Sequence, residues 1–212
     1  MTRRVLPPAF DCACVPELQG DAQYIAGVDE VGRGALFGPV VAAAIVVPRE
    51  AIARLVQLGI RDSKQLSPAR RVEFAQQIQV IALAVRIGYA TAKEIDAINI
   101  LQASLLAMQR AVKKLNPPPD RCFVDGRFAL PSLTVPQENL VKGDRQSPAI
   151  AAASIVAKVW RDDLVVRWAP KFPDYDLAAN KGYGTARHRL ALQHYGPSRQ
   201  HRHSFRPCRP QK

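Results

Sequence analysis

Asp29 and Glu30 are adjacent carboxylates at the end of an apolar run that begins at Tyr24, and Val31-Gly32-Arg33-Gly34 follows at once. Two like charges in that position are costly unless a cation or several donors compensate them, and a metal site is the natural resolution. Gly32 and Gly34 leave the backbone bare on both sides of Arg33, so a polymer backbone can approach closely while the guanidinium faces a phosphate. A plain glycine turn with exposed charges would carry the same letters. Asp125 repeats the arrangement, a carboxylate after Cys122-Phe123-Val124 and before Gly126, although Asp-Gly is also a common turn dipeptide. Asp144, in Lys142-Gly143-Asp144, stands just ahead of the helix start signal Ser147-Pro148, where the helix dipole favours its charge. Four carboxylates from three separated segments suit a two-metal phosphoryl-transfer site. Hard oxygen ligands favour Mg²⁺ or Mn²⁺, and two such ions ~3.5–4 Å apart activate a water and stabilise the leaving oxygen. His188, His194, His201 and His203 crowd the C-terminal stretch, where solvated or phosphate-facing roles are expected. No paired His or His/Lys constellation for metal-free acid–base phosphodiester cleavage is present.

Strands must deliver these carboxylates. Tyr24 to Asp29 and Val40 to Val47 are nearly continuous apolar runs, which implies strands buried on both faces. Arg121 to Val124 predicts a third strand carrying Asp125, and Ile81 to Ala90 another. In an open α/β sheet, ligands gather at the carboxyl ends of strands. Helices are expected over Ala51 to Leu58, from Pro68 to about Val80 with Ser67 as cap, and from a cap at Asn99. After Asn99, residues Leu101, Leu105, Met108, Val112 and Leu115 repeat at steps of four and three, a core-facing stripe. Pro117-Pro118-Pro119 ends that helix. A further helix covers Ala149 to Val159, whose Ala151-Ala152-Ala153-Ser154 offers a small-residue face for packing on a sheet.

A chain of 212 residues, 48% hydrophobic and 23% charged, is long enough for one well-buried domain. Its 30 Lys+Arg against 18 Asp+Glu give a net charge of +12, which favours a polyanionic partner, nucleic acid above all. No stretch reaches the ~18 apolar residues of a membrane span, and residues 1–23 lack the layout of a signal peptide, so a cytoplasmic protein with no membrane partner is expected. Cys12, Cys14, Cys122 and Cys208 are too few and scattered for a disulfide framework, and Cys12, Cys14 and Cys208 lack the paired spacing of a zinc ribbon. Residues 1–23, with Pro7, Pro8 and Pro16, read as a flexible arm, 24–205 as the folded unit, and 206–212 as a basic tail.

The segments GVDEVGRGALFGPVVAAA, DSKQLS, VDG, KGD followed by SPAIAAASIVAKVWRD, and NKGYGT with a following His occur in that order. Together they resemble the motif set of ribonuclease HII, the bacterial type 2 ribonuclease H, from about Tyr24 to Phe205. The resemblance implies an α/β, ribonuclease H-like fold, a mixed central sheet flanked by helices with a helical C-terminal portion. It implies cleavage of the RNA strand of RNA–DNA hybrids and incision beside ribonucleotides embedded in duplex DNA, as in ribonucleotide excision repair. Its metal-binding acids fall on Asp29, Glu30, Asp125 and Asp144, with Mn²⁺ or Mg²⁺ as cofactor. Gly32-Arg33-Gly34 resembles the family segment that senses the ribose 2′-OH, and Tyr183 the tyrosine that stacks on the deoxyribose beyond it. Lys64 and Asn99 are similar to phosphate contacts, although a turn lysine and a helix cap explain them nearly as well. Ser147, Ser154, Lys158 and Arg161 also lie in family-like motifs, with Ser154 and Arg161 read as packing and helix-face charge. Type 3 enzymes carry a larger N-terminal domain and typically Glu in place of Asp144. A monomer without an obligate protein partner is expected. Two other readings compete: a basic, non-catalytic hybrid-binding protein, which has no use for four placed acids, and another nuclease or strand-transfer enzyme on this fold, which has no use for the Gly-Arg-Gly segment and the tyrosine.

Overall fold

Tyr24–Val31 forms strand β1 at the centre of a five-stranded sheet, in a computed structural model that describes residue 10, residues 14–60 and residues 66–209. Strand β2 (Val40–Pro48) pairs antiparallel with β1, and β3 (Ala84–Ala90) antiparallel with β2. On the other side β4 (Arg121–Asp125) pairs parallel with β1, and β5 (Gln137–Leu140) parallel with β4. The order β3-β2-β1-β4-β5 is therefore a mixed sheet. Helices α1 (Ile52–Gln57), α2 (Pro68–Ile81) and α3 (Ala92–Val112) precede β4, and α4 (Pro148–Trp168), α5 (Leu177–Asn180) and α6 (Ala186–Tyr195) follow β5.

The unbroken apolar runs of β1 and β2 follow from cover on both faces. Ile25, Ile45 and Val47 pack with Ile52, Phe74 and Ile155 on one side. Ala26, Val28 and Ala44 pack with Ala103, Ala107 and Met108 of α3 on the other. Each fully buried large aliphatic or aromatic side chain contributes roughly 1.5–3 kcal/mol relative to exposure. Gly27 lets α4 settle directly on β1, because a Cβ there would lie 2.1 Å from the Ala149 carbonyl carbon.

Several expectations change. The strand expected from Ile81 starts at Ala84, because α2 continues through Ile81. Strand β5, Gln-Glu-Asn-Leu, has no apolar signature, being a half-buried edge strand held by its pairing with β4. Helix α3 opens at Ala92 rather than at Asn99, through a reciprocal cap between Thr91 and Glu94. Asn99 interrupts it at φ 65° and restarts it, its side-chain oxygen accepting from the Leu101 and Gln102 amides at 2.9 and 3.1 Å.

The flexible arm expected over residues 1–23 is docked over 14–23. Val15 and Glu17 are buried, and Glu17 accepts from the Ala149 amide at 3.1 Å and from the Ser147 hydroxyl, joining the cap of α4. The rest of that arm, Phe10 apart, lies outside the described residues. At the other end, Arg206–Cys208 forms a 3₁₀ turn with Cys208 buried against Leu36, Phe37 and Val165, so the expected tail is packed as far as that turn. None of the described helices is long and apolar enough to cross a membrane.

Candidate active site

Parallel pairing of β1 with β4 puts Val28 beside Val124. The next residues along the two strands, Asp29 and Asp125, therefore emerge side by side at the carboxyl edge. Glu30 completes a group in which one carboxylate oxygen from each of Asp29, Glu30 and Asp125 lies within 4.8 Å of the others. Asp29 is buried, and its Oδ1 accepts the Glu30 amide at 2.6 Å. Burial first, and then the charges of Glu30 and Asp125, hold its carboxyl well above the usual range, against a hydrogen bond from Ser154 that pulls it down. Burial likewise raises Glu30, opposed by Arg33, whose guanidinium lies 3.3 Å away. Asp125 accepts the Gly143 amide at 2.7 Å, which ties β4 to the turn Gly143–Arg145 that carries Asp144. Asp144 lines the same cavity of about 510 Å³ but stands outside the group of three. Crowded oxygen-only donors, destabilised as bare anions, are a donor set that fits a hard divalent cation.

The Gly-Arg-Gly segment and Tyr183 line this cavity too. They are held as one body. Ala35 bridges to Tyr183, and the Leu36 amide donates to the Gly182 carbonyl at 2.8 Å. Beneath them lies Arg161 of α4, fully buried, donating to the carbonyls of Pro39 (3.1 Å), Phe37 (2.9 Å) and Lys181 (2.9 Å). Gly32 sits at φ 90°, and a Cβ there would meet the Arg161 Nε at 2.1 Å, so no larger residue fits. A second buried arginine, Arg202, donates to Gly38 at 3.0 Å and to the Arg33 carbonyl at 2.8 Å. Burial and the neighbouring Arg161 lower its pKa to about 9.

Behind Tyr183 two histidines form a directional chain. The Ser198 amide donates to His201 Nδ1 (2.9 Å), so His201 donates from Nε2 to His188 Nε2 (3.0 Å), and His188 Nδ1 donates to the Tyr183 carbonyl (2.9 Å). Both rings are fully buried. Burial, with the charges of His188 and His203, pushes His201 down to about 3. This corrects the solvated or phosphate-facing roles expected for these two.

The sequence profile of the ribonuclease HII family matches residues 26–208. The chain belongs to that family. It is 60% identical over 186 residues to ribonuclease HII of Microcystis aeruginosa, covering 88% of this chain and 89% of the relative. It is 59% identical to that of Acaryochloris marina over 88% and 94%. Among solved structures, the ribonuclease H2 from Pyrococcus horikoshii superposes with a TM-score of 0.75 at 27% identity, covering 87% of this chain and 95% of the other. The fold is thus the ribonuclease H-like α/β fold of ribonuclease HII, and the protein is an enzyme of the ribonuclease H class, a divalent-metal-dependent endonuclease of RNA–DNA hybrids.

Within this ribonuclease HII fold, one of the expected contact residues falls on no described position and another is not brought to the cavity. Lys64 lies outside the described residues. Asn99 is exposed at the break in α3 and does not line the cavity. Conversely, Ser154 and Lys158 do line it, and Ser154 is bonded to Asp29 rather than serving packing alone. Arg161 is a buried tie rather than helix-face charge. Ser154, Lys158 and Arg161 fall at steps of four and three on one face of α4, with Ser147 as its N-cap, and that spacing was the available signal.

Proposed function

We propose that the protein incises the strand 5′ to a ribonucleotide, in RNA–DNA hybrids and at ribonucleotides embedded in duplex DNA, leaving 3′-hydroxyl and 5′-phosphate ends. The observation that carries this reading is the clustering of Asp29, Glu30 and Asp125 oxygens within 4.8 Å in a cavity shared with Asp144, Gly32-Arg33-Gly34 and Tyr183. Asp29 and Asp125 would hold both of two Mg²⁺ or Mn²⁺ ions, with Glu30 and Asp144 completing the sites; such ions supply an activated water and stabilise the leaving oxygen. The chain's own part is positional. Ser154 orients Asp29, and the Gly143 amide orients Asp125. Bare backbone at Gly32 and Gly34 approaches the ribose 2′-OH, the group that marks RNA locally. Tyr183 stacks on the following sugar, with Lys158 Nζ 5.2 Å from its ring, and Arg33 faces a phosphate.

The net charge of +12 supports a nucleic-acid partner, and we read the protein as a cytoplasmic monomer acting in ribonucleotide repair. The test is cleavage of a labelled DNA duplex holding one ribonucleotide, with Mg²⁺ or Mn²⁺, for the native chain and Asp125→Asn, beside an all-DNA control. Metal-dependent nicking 5′ to the ribonucleotide, lost in the variant, is expected. Equal cutting of the all-DNA duplex sinks the assignment of Gly32, Arg33, Gly34 and Tyr183.

A further inference from the structure

A second cavity, of about 320 Å³, opens beside the acidic cluster. It shares Glu30, Arg33, Asp125 and Lys142 with the first and takes none of its wall from Tyr183. Its floor is one face of α3, with Leu101, Ser104, Leu105 and Met108 at helical spacing. Ser104 is 2% exposed, and its hydroxyl has no hydrogen-bond partner among the described residues. A buried helical serine ordinarily satisfies itself on the preceding turn, so an orphan hydroxyl lining a cavity points to a ligand group.

The wall is equally specific. Phe128 lines the cavity with its side chain held out to solvent, 53% exposed, while the loop that carries it is pinned on both sides. The Gly126 amide donates to the Leu140 carbonyl (2.9 Å), Asn139 Nδ2 to the Phe128 carbonyl (2.8 Å), and Gln137 bonds both ways with Leu130 (2.7 and 3.0 Å). A fixed backbone presenting a bare aromatic ring is a stacking platform. Arg33, Arg127 and Lys142 supply cations around it.

We propose that this cavity is a nucleotide subsite for the bound strand, next to the cut. One base leaves its stack to lie against Phe128 over the Leu101 and Leu105 floor, its polar edge reaches the Ser104 hydroxyl, and Arg127 and Lys142 hold the flanking phosphates. The chemistry is that of base stacking and phosphate attraction. The proposal rests on the reading that the acidic cluster is where the strand is cut.

The test separates the two. Duplexes carrying one ribonucleotide, with 2-aminopurine placed at one position at a time on either side of it, are bound without divalent metal, so no cleavage is needed. One position near the ribonucleotide is expected to brighten with the native chain and with Phe128→Tyr, and to stay dark with Phe128→Ala and with Val141→Trp, which blocks the mouth. With metal present, Phe128→Ala raises KM about tenfold at nearly unchanged kcat. An abasic residue at the bright position raises KM for the native chain but not for that variant. No bright position, or brightening that survives both blocking variants, overturns the subsite even if cleavage is normal. Brightening without any cleavage leaves the subsite standing and overturns the reading it rests on.

Discussion

Replacing Asp125 by Asn should stabilise the metal-free protein while abolishing turnover. Carboxylate oxygens of Asp29, Glu30 and Asp125 lie within 4.8 Å of one another, and two unit charges at that distance repel by about 3 kcal/mol at an effective dielectric near 20. The substitution removes two of the three repulsions and keeps a side-chain oxygen for the Gly143 amide. The native cluster already relieves part of the repulsion by holding protons, since Asp29 and Glu30 are raised. A net gain of about 2 kcal/mol is therefore expected, or about 4–8 °C in midpoint for a chain this size. The pH dependence fixes the sign. A carboxyl raised on folding contributes fully below its unfolded value near 4 and loses that contribution as pH rises through the folded value. The gap between variant and native chain should thus open as pH rises from 4 to 8 and close in acid. Added Mn²⁺ or Mg²⁺ raises the native midpoint more than the variant's. Thermal unfolding in EDTA, then with metal, across that pH range is the assay. A variant no more stable than the native chain at neutral pH, or a gap that widens toward acid, would refute the argument.

Gly32→Ala forces a Cβ to within 2.1 Å of Arg161 Nε at a left-handed φ. It should cost about 2–4 kcal/mol in denaturant titrations and lower cleavage at least tenfold. Arg161→Met strands three carbonyl acceptors. We expect a loss of about 3 kcal/mol, and weaker discrimination between ribonucleotide and all-DNA duplexes in competition assays, because the Lys181 end of the Tyr183 loop loses its tie through Arg161 to Phe37 and Pro39. His201→Gln tests the buried pair. His201 is depressed to about 3 by burial and its neighbours, so its contribution is present above the unfolded value near 6.5 and is lost as pH falls below it. The variant should be less stable at pH 7 but show a pH slope shallower by up to one proton, about 1.4 kcal/mol per unit, between pH 6 and 4.

Sequence patterns locate what repeats or alternates, and those parts were legible. β1, β2 and β4 read as buried strands because helices cover both faces, and the carboxylates at their ends could be named from strand grammar alone. Only the β1–β4 register, a contact between residues nearly a hundred positions apart, says that Asp29 and Asp125 meet. The arm over 14–23 read as loose because Pro16 and Glu17 carry no apolar period. A carboxylate buried at the start of α4, the buried Val15 and bonds from Arg49 to the Leu18 and Gln23 carbonyls fasten it, and no local pattern announces such contacts. Strand β5 was invisible for the same reason, its four residues being defined by the neighbour they pair with. Arg161 looked like surface charge because arginine is rarely buried. What reverses that expectation is a nest of carbonyls contributed by distant loops.

Arg161 and Arg202 are both fully buried, both are held by backbone carbonyls, and neither forms a salt bridge among the described residues. A surface lysine shares its charge with mobile counterions and loses reach within a Debye length as salt rises. Charges enclosed by protein are shielded far less, so the ground under the Gly-Arg-Gly segment is a fixed positive source that ionic strength cannot easily quench. Attraction for the nucleic-acid backbone should therefore have two components: a salt-sensitive one from the exposed basic surface that gathers substrate, and a persistent one that keeps the strand seated where it is read.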